Sequence, residues 1–542
     1  MVIPQFMSRA TDLVAGGAFE LRQLLILCAG MVGTMAVIAT GRFLWRYFIH
    51  GSARRIEAEM RSNLFEHLLT LSYDFYQKNK IGELMARATN DLGAVRQSIS
   101  MGLVTFVDGA IMATSIIVIM FMQNARTAAF AIIPLPLITI IILTFGKLVG
   151  KRFLRAQETY SEMSDTVQET FAGIRVVKSF VKEWWFIKKF ADTNDDYRQA
   201  NMELTKLFGV FFPLISFLSG LTALMVLLIG GTQVVEGKMT PGGLVALFSY
   251  VQMLIWPLMG AGFMVNMIQR GAASLGRINA VMQTKPSIAS PENPSHGKKS
   301  EYAVEIRNLS FKYPDSTEAL SGINLQIRHG YIMGILGKTG SGKSTLIKTL
   351  TRTVDPPAGT VFVDGTDVRE WDVSELRGRF GVTPQDSYLF SDSIKHNIGY
   401  SIEEENEALL KKAAAISAID RDVEDFRSGW ETVIGERGTT LSGGQKQRVA
   451  MARALATNPD ILILDDSLSA VDAETERRIL DALLAERSGK TTIIISHRVS
   501  TLRNADFVIV LDRGKVAESG THQYLLNNGG FYAHAAELQE LD

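Results

Sequence analysis

Five stretches of this chain carry no charged side chain and are dominated by apolar ones: Leu24 to Gly41, Gly109 to Ala125, Thr127 to Gly146, Leu207 to Val235 and Met239 to Gln269. A helix needs about 20 mainly apolar residues to cross a bilayer, because each unpaired backbone polar group in hydrocarbon costs several kcal/mol. The first two stretches extend into their flanks, so all five predict membrane spans. A soluble reading would have to bury all five on every side within one domain. Between them, Arg54 to Met60 and Gln157 to Phe171 read as helix, which predicts spanning helices that continue beyond the membrane as stalks. After about residue 280 the pattern changes. Val304 to Ile306 and Ile323 to Ile327 alternate like half-buried strands, and Tyr331 to Leu336 is a buried strand that runs straight into glycines.

Charge supplies the orientation of the first half. The segment Arg42 to Arg96 holds nine Lys or Arg residues and Lys147 to Lys206 holds eleven, while the turns at Asn124 and at Glu236 to Lys238 are nearly bare. Both basic segments are therefore expected on the cytoplasmic side of a cytoplasmic membrane. Five spans would then put the first residue outside, yet the chain opens on Met-Val-Ile-Pro-Gln-Phe-Met-Ser without a basic flank or signal peptide. The expectation is a sixth span whose first half is missing: residues 1 to about 14 end that helix and lead to an external loop with Arg9, Asp12, Glu20 and Arg22. Asp108 is the one acidic residue in the apolar stretch that begins near Ile99, where an ionisable group is costly. A helix-contact role is favoured there over contact with a substrate. Pro134, Pro136, Pro213 and Pro257 are positions where helices bend.

At 542 residues the chain exceeds one hydrophobic core. The expected division is 1–280 membrane domain, 281–300 linker and 301–542 nucleotide-binding domain. The linker assignment rests on the proline, serine and charge of Lys285 to Ser300. The 56 basic and 56 acidic residues cancel, which removes the bulk electrostatic case for nucleic acid. Cys28 is the single cysteine, so no intrachain disulfide or cysteine-rich metal site exists. Its apolar surroundings predict a buried thiol.

The glycines after Leu336 form the strongest motif: Gly337-Lys338-Thr339-Gly340-Ser341-Gly342-Lys343-Ser344-Thr345, then the helix formers Leu346, Ile347 and Lys348. Strand, glycine loop and helix in that order make a phosphate loop. Its N–H groups surround phosphates, the new helix adds its positive end, Lys343 reaches the terminal phosphate and Ser344 coordinates magnesium. Ile461 to Leu464 is an apolar strand that ends on Asp465, a carboxylate placed to hold magnesium through water. Leu441-Ser442-Gly443-Gly444-Gln445 opens a second helix in a way that resembles another anion-binding start.

Together with Gln385 after a strand and His497 after Ile493-Ile494-Ile495, these motifs resemble the ATP-binding cassette (ABC) transporters, specifically the exporters that fuse both domains in one chain. The resemblance covers essentially the whole sequence. It implies an all-α exporter-type membrane domain fused to an α/β phosphate-loop ATPase, with ATP and Mg²⁺ as cofactors. It implies that two cassettes close head to tail, each ATP lying between one chain's phosphate loop and the other chain's residues 441–445. By the same match Tyr313 stacks on adenine, Gln385 senses magnesium and nucleotide, and His497 approaches the γ-phosphate. Ser469-Ala470-Val471-Asp472 resembles the dimer-contact loop, and Gly435-Glu436-Arg437-Gly438 the exporter loop that touches the membrane helices. Short coupling helices are implied near Phe75 to Gly82 and near Lys182 to Phe190, where Trp184 and Trp185 would dock.

One position departs from the family. A glutamate normally follows the magnesium aspartate as general base, and this chain has Asp466. Its carboxylate is about one methylene shorter, and a misplacement of about 1 Å costs on the order of a hundredfold in rate. The site on this chain's own phosphate loop is expected to bind ATP and hydrolyse it weakly. Residues 441–445 are intact and would complete the other composite site. This combination resembles one half of the heterodimeric bacterial multidrug exporters, implying a non-identical second half that carries the glutamate. The expected function is ATP-driven export of hydrophobic or amphipathic molecules across the cytoplasmic membrane, with membrane lipid and a hydrophobic small-molecule substrate as partners and a lipid flippase or an ATP-gated channel or regulatory membrane protein as alternatives.

Overall fold

A computed structural model describes residues 1–542 apart from 18–19, 299, 314–317, 403–405, 436–437, 439 and 541–542. The chain divides into two compact units, one of Met1–Thr70 with Asn79–Thr284, the other of Leu71–Lys78 with Lys285–Asp542.

The first unit is helical. It holds α1 (Val2–Ala15), α2 (Leu21–Thr70), α4 (Ile81–Gln123), α5 (Ala125–Ala172), α6 (Ile174–Ser179), α7 (Glu183–Val235) and α8 (Pro241–Met282), while α3 (Tyr73–Lys78) belongs to the second unit. Among the described residues four helices are long and apolar enough to cross a membrane: α2, α4, α5 and α7. The fifth expected span, Met239 to Gln269, lies on α8, a 42-residue helix that starts at Pro241 with Thr240 capping it through Gly243 N–H. Pro213 and Pro257 sit inside α7 and α8, and Pro134 follows a break at Ile133. Two π-helical turns, Arg87–Asp91 and Ser98–Gly102, interrupt α4. Asp91 at the end of the first accepts from Ser274 Oγ and Arg277 Nε of α8, each at 2.9 Å.

Arg9 and Asp12 lie on α1 rather than in a loop. The Asp12 carboxylate accepts the Gly242 N–H at 2.7 Å, and a Cβ at Gly242 would collide with the α1 backbone. That close approach holds α1 against α8. Cys28 is exposed, which corrects the expectation of a buried thiol. None of the most apolar window of α2 is buried against protein. In a membrane helix an apolar neighbourhood faces lipid as readily as core, and the sequence alone does not separate the two.

The second unit is built on two sheets. β1 (Tyr302–Lys312), β2 (Glu318–Arg328), β4 (Val361–Val363) and β5 (Thr366–Asp367) form an antiparallel sheet in the order β2-β1-β4-β5. A six-stranded sheet runs β10-β9-β3-β8-β7-β6, from β3 (Ile332–Gly337), β6 (Phe380–Thr383), β7 (Ile461–Asp465), β8 (Thr491–Ile495), β9 (Phe507–Asp512) and β10 (Lys515–Gly520). Its strands are parallel except β10, which pairs antiparallel with β9. Alternate residues of β7 serve two cores. Ile461 and Ile463 pack with the β1/β2 side, while Leu462 and Leu464 pack with the helices. Parallel strands covered on both faces read as continuous apolar runs, as 461–464 and 493–495 do.

Helices α9 (Lys343–Leu350), α10 (Val373–Gly378), α11 (Ile394–Gly399), α12 (Glu407–Ile416), α13 (Asp420–Asp425), α14 (Gly443–Ala456), α15 (Ala473–Glu486), α16 (His522–Asn527) and α17 (Phe531–Glu540) complete the unit.

Candidate functional site

The C-terminal ends of β3, β7 and β8 open into one cavity of about 230 Å³, lined by Tyr313, Glu318, Ala319, residues 339–345, Gln385, Asp465, Asp466 and His497. The parallel register explains why. Asp465 is paired with Ile495 across β7 and β8, so the residues that follow them, Asp466 and Ser496, leave the sheet together. Tyr313, Gln385, Asp465, Asp466 and His497, up to 184 positions apart in the sequence, are thereby brought to the phosphate-loop candidate.

The loop's glycines have specific steric causes. A Cβ at Gly337 would lie 2.5 Å from Leu511 O and one at Gly342 2.6 Å from Ala319 O; Gly340 and Gly342 also hold φ of +80° and +104°. Only glycine adopts these without strain. The Lys343 ammonium folds back onto Gly337 O at 2.7 Å and Lys338 O at 2.9 Å. Burial pushes its pKa below the ordinary lysine value, against the pull of the Asp465 and Asp466 charges. The Ser341 hydroxyl is buried without a protein partner, and such an orphan in a cradle of N–H groups suits a phosphate oxygen. Ser344 Oγ donates to Asp465 Oδ2 at 3.2 Å, and burial raises the Asp465 pKa against that bond. Hydroxyl and carboxylate oxygens on facing elements suit a hard divalent cation that also takes phosphate oxygens. The Tyr313 hydroxyl is 3.3 Å from Thr345 Oγ1, and its ring meets Phe311 edge-on at 5.1 Å.

Asp466 has a left-handed backbone, φ +49°. Its N–H donates to Ile495 O at 2.9 Å, and its carbonyl accepts from Ser469 Oγ at 2.8 Å and Gln447 Nε2 at 3.4 Å. Gln447 also accepts the Ala470 N–H at 3.1 Å. Arg498 grips the same loop from the other side, donating to Ser469 O at 3.1 Å while paired with Glu476 at 2.8 Å. Sequence reading missed both residues. Their partners lie 19 to 29 positions away, and neither belongs to a local pattern.

Residues 441–445 sit apart: none of them is among the described residues lining the cavity. Ser442 and Gln445 form a reciprocal capping box at the start of α14, and Gln445 Nε2 donates to Asp422 at 2.9 Å. A Cβ on Gly444 would come 2.7 Å from Ala470 O, so this helix start packs on the 469–472 loop. In the 435–438 segment, Glu436 and Arg437 lie outside the described residues. The first implied coupling segment is α3, with Gly82 falling on the next helix. The second, 182–190, is the opening of the long helix α7 after a left-handed Val181 and not a separate short helix, with Trp184 and Trp185 73% and 53% exposed. In the first unit, Asp108 is exposed and lines an open cleft of about 1140 Å³ with Arg42, Arg46, Tyr47, Met112 and Met253.

Comparison with known proteins agrees with this architecture. The family described as ABC transporter transmembrane region matches residues 1–258, and that described as ABC transporter matches 320–469. The probable multidrug resistance ABC transporter ATP-binding/permease protein YheI of Bacillus subtilis is 38% identical, with 100% of this chain and 93% of that protein covered. The multidrug resistance-like ATP-binding protein MdlA of Escherichia coli is 33% identical over 100% and 92%. An ATP-dependent lipid A-core flippase of Syntrophus aciditrophicus is 33% identical over 90% and 81%. A solved bacterial Atm1-family ABC exporter with ATP bound superposes with a TM-score of 0.82 at 27% identity, covering 99% of this chain and 95% of that one. The chain therefore belongs to the ABC transporters, as a multi-pass membrane protein of the exporter type whose fused ATPase domain couples ATP hydrolysis to transport.

Proposed function

We propose that this chain is one half of an exporter for hydrophobic or amphipathic compounds, that its own phosphate loop forms a weakly hydrolysing ATP site, and that a non-identical second half supplies the general-base glutamate. The observation that carries this reading is the combination of Asp466 in the cavity lining with an intact 441–445 segment that stands outside it. Residues 337–345 hold the phosphates, Lys343 exchanging its two carbonyl partners for phosphate oxygens. Ser344, Asp465 and Gln385 are the groups that would hold Mg²⁺, which supplies charge neutralisation to the phosphates when bound. Tyr313 carries the adenine ring. The Asp466 carboxylate takes the proton of the attacking water from a position one methylene too far back, and His497 faces the terminal phosphate.

ATP-driven closure of paired cassettes and their reopening after hydrolysis then alternate the access of the membrane helices. The apolar walls and scattered charges of the cleft around Asp108 suit amphipathic cargo. The flippase relative favours lipid as a second cargo reading. Headgroup-labelled lipid translocation, compared with dye efflux in the same proteoliposomes, separates the two.

The test of the site asymmetry compares two variants of the assembled exporter in lipid at saturating ATP. Asp466→Asn is expected to lower total ATPase modestly, and Ser442→Arg to abolish nearly all of it, since a bulky cation enters the partner's productive site. Equal, near-total losses would overturn the weak-site reading. Rapid hydrolysis by a dimer of this chain alone would overturn the non-identical partner.

A further inference from the structure

The loop that carries His497 is held by a residue from the far end of the sequence. Gln539, near the end of α17, donates from Nε2 to His497 O at 2.8 Å and accepts the Val499 N–H on Oε1 at 2.7 Å. Ser496 still donates its N–H to Ile335 O of β3 at 3.2 Å, and residues 497–499 continue beyond β8 into a short turn. A primary amide offers one donor and one acceptor side by side, so a single side chain satisfies both groups that flank Arg498. The other end of α17 is anchored. The Glu518 carboxylate accepts the Phe531 and Tyr532 N–H groups, and the buried Tyr532 hydroxyl meets His522 Nδ1 at 2.8 Å. Phe531 also lies 5.3 Å below the Lys338 ammonium of the phosphate loop. One helix thus touches both loops that bracket the terminal phosphate position, through residues about 12 Å apart along its axis.

We infer that α17 is a clasp on the catalytic loop, and that Gln539 is a positioning residue which aims His497 at the nucleotide without touching it. This rests on the reading of His497 given above. Gln539 is exposed, so water competes for its two bonds and the clasp opens at small cost. The hydrolysis rate at this chain's own site then depends on the C-terminal helix, whereas ATP binding does not.

The test uses the full chain assembled with its second half in lipid. ATP bearing a photoreactive 8-azido group and a label on the α-phosphate is bound, allowed one turnover and crosslinked, and the share of label on this chain present as ADP is measured. Gln539→Ala is expected to leave total labelling within about twofold and to lower the ADP share by about tenfold. Gln539→Glu keeps the acceptor for Val499 and loses the donor to His497 O, so it falls between. The double variant with His497→Ala should be no slower than His497→Ala alone, because both changes remove one function. A wild-type ADP share in Gln539→Ala, a multiplicative loss in the double variant, or a parallel fall in total labelling would each overturn the clasp. An unchanged ADP share in His497→Ala alone would remove the His497 reading and the clasp with it, and that single variant tells the two failures apart.

Discussion

Asp466 joins a short carboxylate to a left-handed backbone, φ +49°. Outside glycine, Asp and Asn tolerate this region best because their side chains bond locally, while longer residues cost roughly 1–2 kcal/mol there. Asp466→Glu therefore has two opposed consequences. The added methylene carries the base toward the water, and single-turnover hydrolysis at this chain's site should rise by about tenfold or more. The strained backbone should lower the melting temperature of the nucleotide-free protein. Faster turnover without loss of Tm would mean that the loop relaxes around the longer side chain; no gain in turnover would refute the base assignment. Lys343→Ala is simpler. Its ammonium already sits on Gly337 O and Lys338 O, so its removal deletes the one cation buried in the cradle, and photolabelling of this chain by azido-ATP should fall by at least about tenfold. Unchanged labelling would sink the phosphate role.

At the scale of elements, the start of α14 and the 469–472 loop behave as one piece. Gly444 abuts Ala470 O, and Gln447 ties the loop to the Asp466 carbonyl. Gly444→Ala must push the two apart, and total ATPase of the assembled exporter should fall by about tenfold or more even though Asp466 is untouched. Wild-type ATPase would show that the contact yields freely. Asp472, which caps α15 through the Thr475 N–H, has its pKa held below the ordinary carboxylate value first by that backbone bond. A lowered pKa contributes stability above the unfolded value that is lost as pH falls through the folded one. Asp472→Ala should therefore narrow its Tm gap to wild type in acid, and a gap constant with pH would count against the cap. These pairings mark the limit of what the sequence shows. Strand, glycine loop and helix at 332–350 are legible because their signals are local, and Asp465 because a strand of four apolar residues ends on it. Gln447, Arg498 and Gln539 are ordinary polar residues whose partners are supplied by tertiary packing. Cys28 was misplaced because lipid and protein core share the same apolar signature.

At the scale of the whole molecule, the second unit takes in a short piece of the first half of the chain. Leu71–Lys78 belongs to the second unit although membrane helices precede and follow it. Lys348, on the helix that leaves the phosphate loop, lies 5.2 Å over the Tyr73 ring. Asp74 accepts from the linker's Ser287 Oγ at 2.8 Å, and Ser72 Oγ accepts the Ile288 N–H at 2.9 Å. Tyr73→Ala should leave ATP hydrolysis near wild type while lowering the amount of substrate moved per ATP in proteoliposomes by up to several-fold, since a cation–π contact at an exposed ring such as this is worth about 0.5–1 kcal/mol. Equal transport per ATP would deny α3 a part in coupling.

The same discontinuity has a consequence for how the protein is made. Ser287 and Asp74 are 213 positions apart, so residues 71–78 leave the ribosome long before the domain they complete. While the following membrane helices are synthesised and inserted, that segment lacks its bonds to Ser287 and Ile288 and its contact with Lys348, and these form only when a loop of that length closes. A nascent chain arrested before residue 285 should be cut by protease at 71–78, and full-length chains should gain protection there together with protection of the phosphate-loop helix, as one late step of folding.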